Sequence, residues 1–211
     1  MSTNILFLKS KSNILNSRQK SILRKLINKH VIMAQISLNI SPTNISVYPN
    51  KDWCIPKIGI GGYTASEDWI QLSLNLPLFK KIVDKYLPAI IYHEMHHTKR
   101  MSTVGYGESL LEVSITEGLA NNYAEEMFPQ FSPPWSKYSK DEISKLIKIF
   151  LKKKDDTVNF SEWFLGYGKP HWLGYKVGSY IINKVLKKNN HLSSLKMVNY
   201  SSKEIFDMYS N

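Results

Sequence analysis

The chain has 211 residues, 43% of them hydrophobic, enough for one domain spanning 1–211 with a sizeable core. Its single cysteine, Cys54, excludes an internal disulfide, and no stretch approaches the ~20 apolar residues of a membrane span. The net charge of +11 comes mainly from scattered lysines, with Arg18, Arg24 and Arg100 as the arginines, which argues for a solvated surface and against a nucleic-acid footprint. The apolar patch at residues 5–8 is too short for a signal-peptide core, so the expected location is the cytoplasm.

From about residue 18 to 38 the positions Ile22, Leu23, Leu26, Ile27, Val31 and Ala34 keep helical spacing, with Ser17 as the expected N-cap. Residues 44–48 alternate like a strand ahead of the Pro49-Asn50 turn. Residues 57–63 read as a second strand, and the alternation of Ile70, Leu72, Leu74 and Leu76 makes a third. Glycine inside a strand often marks the approach of another backbone. Gly59, Ile60, Gly61 and Gly62 therefore read as an edge that pairs with an extended peptide, or equally as a bulge or turn leading into residues 64–66.

Pro77 and Pro88 each open a helical segment, as prolines do in a first turn. The second segment, to about Met101, contains His93-Glu94-Met95-His96-His97 behind the apolar run Ile90-Ile91-Tyr92. Residues four apart on a helix lie one above the other, so His93 and His97 point the same way. Two imidazoles on one face are what Zn²⁺ needs from a single helix, with Glu94 beside them to take a proton from water. His96 is off that face and reads as a structural or rim residue. Zinc is the expected cofactor.

A third protein ligand is still needed. The capping box Ser109-Leu110-Leu111-Glu112 starts the next helix, which runs to near Phe128 before Pro129. Among Glu108, Glu112, Glu117, Glu125 and Glu126, Glu117 centres on an apolar face, unless it lies on a wet strip of the helix; Glu112 reads as the capping residue and Glu126 lies opposite Glu117. Leu110, Val113, Ala124 and Phe128 lie within about 40° of the Glu117 direction. A carboxylate there is costly unless a cation meets it. No histidine occurs in residues 99–103, which also favours a glutamate ligand. Asn121, one turn on, could hydrogen-bond a zinc histidine or could be an ordinary helix residue.

Further helices are expected after Ser139, from about His171 to Lys187, and after Ser201. In the second of these, His171, Gly174, Tyr175 and Gly178 follow i, i+3, i+4, i+7 spacing. The glycines permit close backbone approach. His171 and Tyr175 either supply a donor for an oxyanion or belong to an aromatic packing cluster.

Three segments together resemble a known family: His93-Glu94-Met95-His96-His97-Thr98-Lys99-Arg100, Thr116-Glu117-Gly118-Leu119-Ala120 and Trp172-Leu173-Gly174-Tyr175-Lys176-Val177-Gly178. They are similar to the YjaZ-type predicted zinc-dependent proteases, over about residues 57–186, and more widely to the gluzincins. The resemblance implies Glu117 as third ligand and a zincin-like α+β fold, a small N-terminal mixed sheet followed by a mainly helical bundle carrying the metal site. It also implies an edge strand above the cleft and a carbonyl-polarising His171 or Tyr175. Where gluzincins often carry an acid one turn after the ligand glutamate, this chain has Asn121.

The expected function is a zinc metallopeptidase that hydrolyses peptide or protein substrates with Glu94 as general base. The alternatives are a silent zinc-fold binding or regulatory protein, with nucleic acid as a disfavoured partner, and a zinc hydrolase of a non-peptide amide. Oligomeric state is not readable from the residues.

Overall fold

Ile45 and Val47 on one strand, and Ile70, Leu72 and Leu74 on another, are all buried, as their two-residue spacing requires of a face turned to a core. The computed structural model describes residues 3–11, 13–166 and 170–211. The chain divides into two compact units, Met1–Ser102 with Met127–Phe131, and Thr103–Glu126 with Ser132–Asn211. Its class is α+β, with one small mixed sheet and a mainly helical remainder.

In the first unit, β1 (Ile5–Phe7), β2 (Asn44–Tyr48), β3 (Ile60–Ser66) and β4 (Trp69–Leu74) pair in the order β1-β2-β4-β3. β1, β2 and β4 run parallel, and β3 is antiparallel to β4 at the edge. The helix α1 (Ser17–Leu38) connects β1 to β2. After α2 (Phe79–Lys85) comes α3 (Leu87–Met101), which packs against both α1 and β3.

Three local readings are corrected here. The cap of α1 is Asn16, not Ser17: its side-chain oxygen accepts from the Gln19 N–H at 2.9 Å, while the Gln19 side chain accepts from the Asn16 N–H at 3.0 Å. That reciprocal box satisfies two orphan donors at once. The second strand starts at Ile60 and not near 57, because Lys57 (φ 68°) and Gly59 (φ 81°) take left-handed backbone that no strand can contain. β1 was not foreseen, since three residues carry no readable period.

The second unit holds α4 (Leu110–Met127), α5 (Lys140–Leu151), α6 (Phe160–Trp163), α7 (Leu173–Lys188) and α8 (Ser202–Ser210). Ser109, Ser139 and Ser201 cap α4, α5 and α8 as expected. Leu119, Phe150, Phe164, Val177, Ile181 and Ile205 are fully buried in one cluster. α4 crosses α7 at Gly118 and Gly178. A Cβ on Gly178 would overlap the Ser114 carbonyl, and one on Gly118 would overlap Gly178. The close backbone approach expected of the α7 glycines is present at Gly178, whereas Gly174 faces the Phe164 ring.

α7 begins at Leu173, two residues later than expected, because Trp172 has left-handed backbone (φ 60°). Among the described residues, no helix is long and apolar enough to cross a membrane.

Candidate metal centre

Every residue of α3 except Lys99 and Met101 is buried, its polar side chains included. Pro88 occupies the first turn, and the Tyr92 hydroxyl meets His30 Nδ1 of α1 at 2.9 Å. Just beyond that anchor, His93 and His97 bring their Nε2 atoms within 3.0 Å, their rings nearly perpendicular. This is the i, i+4 juxtaposition that the spacing predicts. One ion can reach both nitrogens at ordinary zinc–nitrogen distances of about 2.0–2.1 Å, so the pair fits a zinc ion. His96 is fully buried, which leaves the structural role and excludes the rim. Arg100, also fully buried, has its guanidinium pulled down to about 10 by burial, still charged at neutral pH.

Glu94 is 5% exposed and is met by β3. The Thr64 hydroxyl lies 2.7 Å from Glu94 Oε2 and 3.0 Å from the Glu94 carbonyl oxygen, with both oxygens able to accept its proton. Two residues earlier on the same strand face, a Cβ on Gly62 would overlap Oε1 and fall 2.6 Å from Cγ and 2.7 Å from Cδ. A side chain at position 62 would have to displace the Glu94 carboxylate from the space it occupies. Thr64 was not singled out from the sequence; its spacing of two from a strand glycine was the available signal.

The other edge residues have separate explanations. Gly59 turns the chain beneath Leu78. The Ile60 carbonyl accepts from the Ile55 N–H at 3.1 Å. A Cβ on Gly61 would overlap the Trp53 carbonyl. A second backbone does approach the glycines, but at Ile60 and Gly61 it is the chain's own residues 53–55.

In the second unit, Glu117 is buried on α4, 3% exposed. The Tyr106 hydroxyl donates a hydrogen bond to its Oε1. Tyr106 is placed by Gly105 and Gly107, both at positive φ, and by the Thr116 hydroxyl, which donates to the Tyr106 carbonyl at 3.0 Å. The sequence reading missed Tyr106; an aromatic bracketed by two loop glycines was its only signal. Three of the four competing glutamates are otherwise engaged. Glu112 accepts from the Ser109 and Glu108 N–H groups and the Ser109 hydroxyl, which hold its carboxyl below the ordinary range. Glu125 faces the Ser132 and Ser136 hydroxyls, and Glu126 accepts from the Ser194 N–H at 2.9 Å.

Asn121 is 1% exposed; Trp135 Nε1 donates to its Oδ1 at 3.0 Å, and its Nδ2 donates to the Ser179 hydroxyl at 3.4 Å. These bonds tie α4 to the segment Pro134–Ser136 and to α7. His171 is exposed in the turn before α7, its ring 4.3 Å from that of Trp172. Tyr175 is half-buried among the rings of Phe160, Phe164 and Trp135, an aromatic cluster of the kind weighed above. Gly168 and Lys169, just upstream, lie outside the described residues.

These features define an α+β protein whose buried helix presents paired histidines around a glutamate held by a strand hydroxyl. Over residues 18–207 the chain matches the family described as predicted Zn-dependent protease (DUF2268), and it belongs to that family. The match takes in α1 and most of α8, beyond the span over which the motifs alone carry the resemblance. No curated protein and no solved structure matches the chain.

Proposed function

We propose that the protein is a zinc metallopeptidase of the gluzincin type, its residues 1–211 acting as one zincin-like domain on peptides in the cytoplasm. His93, His97 and Glu117, all buried and each offering one donor atom, would hold the ion. Two imidazoles and one carboxylate form a donor set that leaves a position open at a catalytic zinc. The observation that carries the reading is Glu94, a buried carboxylate fixed on the same helix as two imidazole nitrogens 3.0 Å apart.

Bound there, zinc would supply Lewis acidity, which lowers the pKa of a bound water to about 7. Glu94 takes the proton from the attacking water at its carboxylate and delivers it to the leaving amine. Its burial keeps bulk water from competing for that proton. His171 or Tyr175 donates to the oxyanion that develops on the peptide carbonyl. An extended peptide pairs with the edge strand β3.

Metal analysis of the purified protein, paired with a peptide-library digest of wild type and Glu94→Gln, tests this. Bound zinc with cleavage by the wild type alone is the expected result. Equal cleavage by both proteins removes Glu94 from its role, and a metal-free, inert wild type removes the reading altogether.

A further inference from the structure

Glu94 sits on α3 under the edge strand, and the face of β3 turned toward it carries Ile60, Gly62 and Thr64 at two-residue spacing. A glutamate has three side-chain torsions, so its place on a helix does not by itself aim its carboxylate. Two features of β3 do. The missing side chain at Gly62 opens the space that Oε1, Cγ and Cδ occupy, and the Thr64 hydroxyl stands 2.7 Å from Oε2. With Thr64 and Glu94 each only 5% exposed, little water competes for their contact.

We propose that Thr64, with Gly62, is the positioning element for Glu94: the strand clamps the carboxylate in one orientation, the hydroxyl holding one oxygen and the glycine admitting the other. Thr64 acts through Glu94 and touches no substrate. A hydroxyl has one proton to give, and Thr64 has two acceptors on the same residue, Oε2 and the carbonyl oxygen at 3.0 Å. The nearer acceptor, the carboxylate Oε2 at 2.7 Å, takes that proton. β3 pairs in register with β4 from Ile60 to Thr64, so the clamp inherits the rigidity of the ladder. The bulge between Thr64 and Ser66 begins only after the clamp is complete.

The proposal rests on Glu94 being the general base, and its test is built to separate the two. Zinc-loaded wild type, Thr64→Val, Thr64→Ser and Gly62→Ala are compared by peptide kinetics, zinc content, melting temperature and crystal structure. Val keeps the shape of Thr without its donor, and Ser keeps the donor. The expected result is a fall of about 10–100-fold in kcat for Thr64→Val with KM within about twofold, and recovery in Thr64→Ser. Zinc content stays unchanged. In the crystal structures, the Glu94 carboxylate turns out of its wild-type orientation in Thr64→Val and Gly62→Ala, and keeps it in Thr64→Ser.

Wild-type kcat in a folded Thr64→Val, or an unmoved Glu94 in its crystal structure, overturns the clamp. If the wild type cleaves no peptide, the peptidase reading fails on its own account. The crystallographic comparison then still decides whether Thr64 and Gly62 set the carboxylate. Should Thr64→Val not fold, Thr64→Ala and Gly62→Ala answer the same question through the Glu94 orientation.

Discussion

Glu94 and Glu117 are both helical glutamates in a protein interior, and each meets one hydroxyl from its own unit. The hydroxyls arrive by different routes. Thr64 comes from a strand whose register is fixed by pairing with β4. Tyr106 comes from a loop whose path depends on two glycines with φ of 83° and 98°. The first carboxylate is held by a ladder of hydrogen bonds and the second by backbone conformation. The difference matches the roles proposed for them, since a base must keep its aim through a reaction while a ligand is also held by its ion.

Four experiments break or sharpen that comparison. The largest effect is expected from the carboxylates themselves. Glu94→Gln should lower peptide turnover by about 10²–10⁴-fold with zinc retained, whereas Glu117→Gln should lose zinc. Metal content and kcat measured on the same samples tell them apart, and zinc loss in both variants would erase the distinction. Next comes the crossing that fixes α4. Gly178→Ala places a Cβ against the Ser114 backbone, which cannot yield as a side chain would, and should cost about 1–3 kcal/mol in urea unfolding. An unchanged midpoint would mean that the helices part freely.

The loop anchor should matter less. Tyr106→Phe removes the donor to Glu117 and should weaken zinc binding by about 10–100-fold in a competitive chelator titration. Wild-type affinity would show that α4 alone orients its carboxylate. The smallest effect concerns Glu112, whose folded-state carboxyl is held below its ordinary value of 4.5 by hydrogen bonds. A depressed carboxyl stabilises the fold above its unfolded value and loses that contribution as pH falls through the folded one. The melting-temperature gap between wild type and Glu112→Gln should therefore shrink as the pH drops below about 4.5, and a gap independent of pH would contradict this.

Much of the candidate site was legible because it is local. His93 and His97 are one helical turn apart, so the period of the helix alone brought their nitrogens together. Glu117 stood apart from two of its rivals for a related reason: Glu112 and Glu125 have polar partners 3 and 11 residues away in the chain. Less was legible where backbone left the regular regions. The turn at Lys57 and Gly59 shortened β3, and Trp172 delayed α7, leaving His171 outside the helix that was to carry it. Asn121 shows a third limit, because Trp135 and Ser179 lie 14 and 58 residues away and no spacing rule could have paired them with it.

The order of the residues by itself determined the paired histidines, the glutamate between them and the serine caps of α4, α5 and α8, all set within about one turn by fixed helical geometry. Tertiary structure alone decided that β1 pairs with β2, that β3 lies at the sheet edge, and that Thr64, 30 residues before Glu94, meets its carboxylate. Those contacts follow from how a chain packs its apolar faces, and packing joins residues that no local period relates.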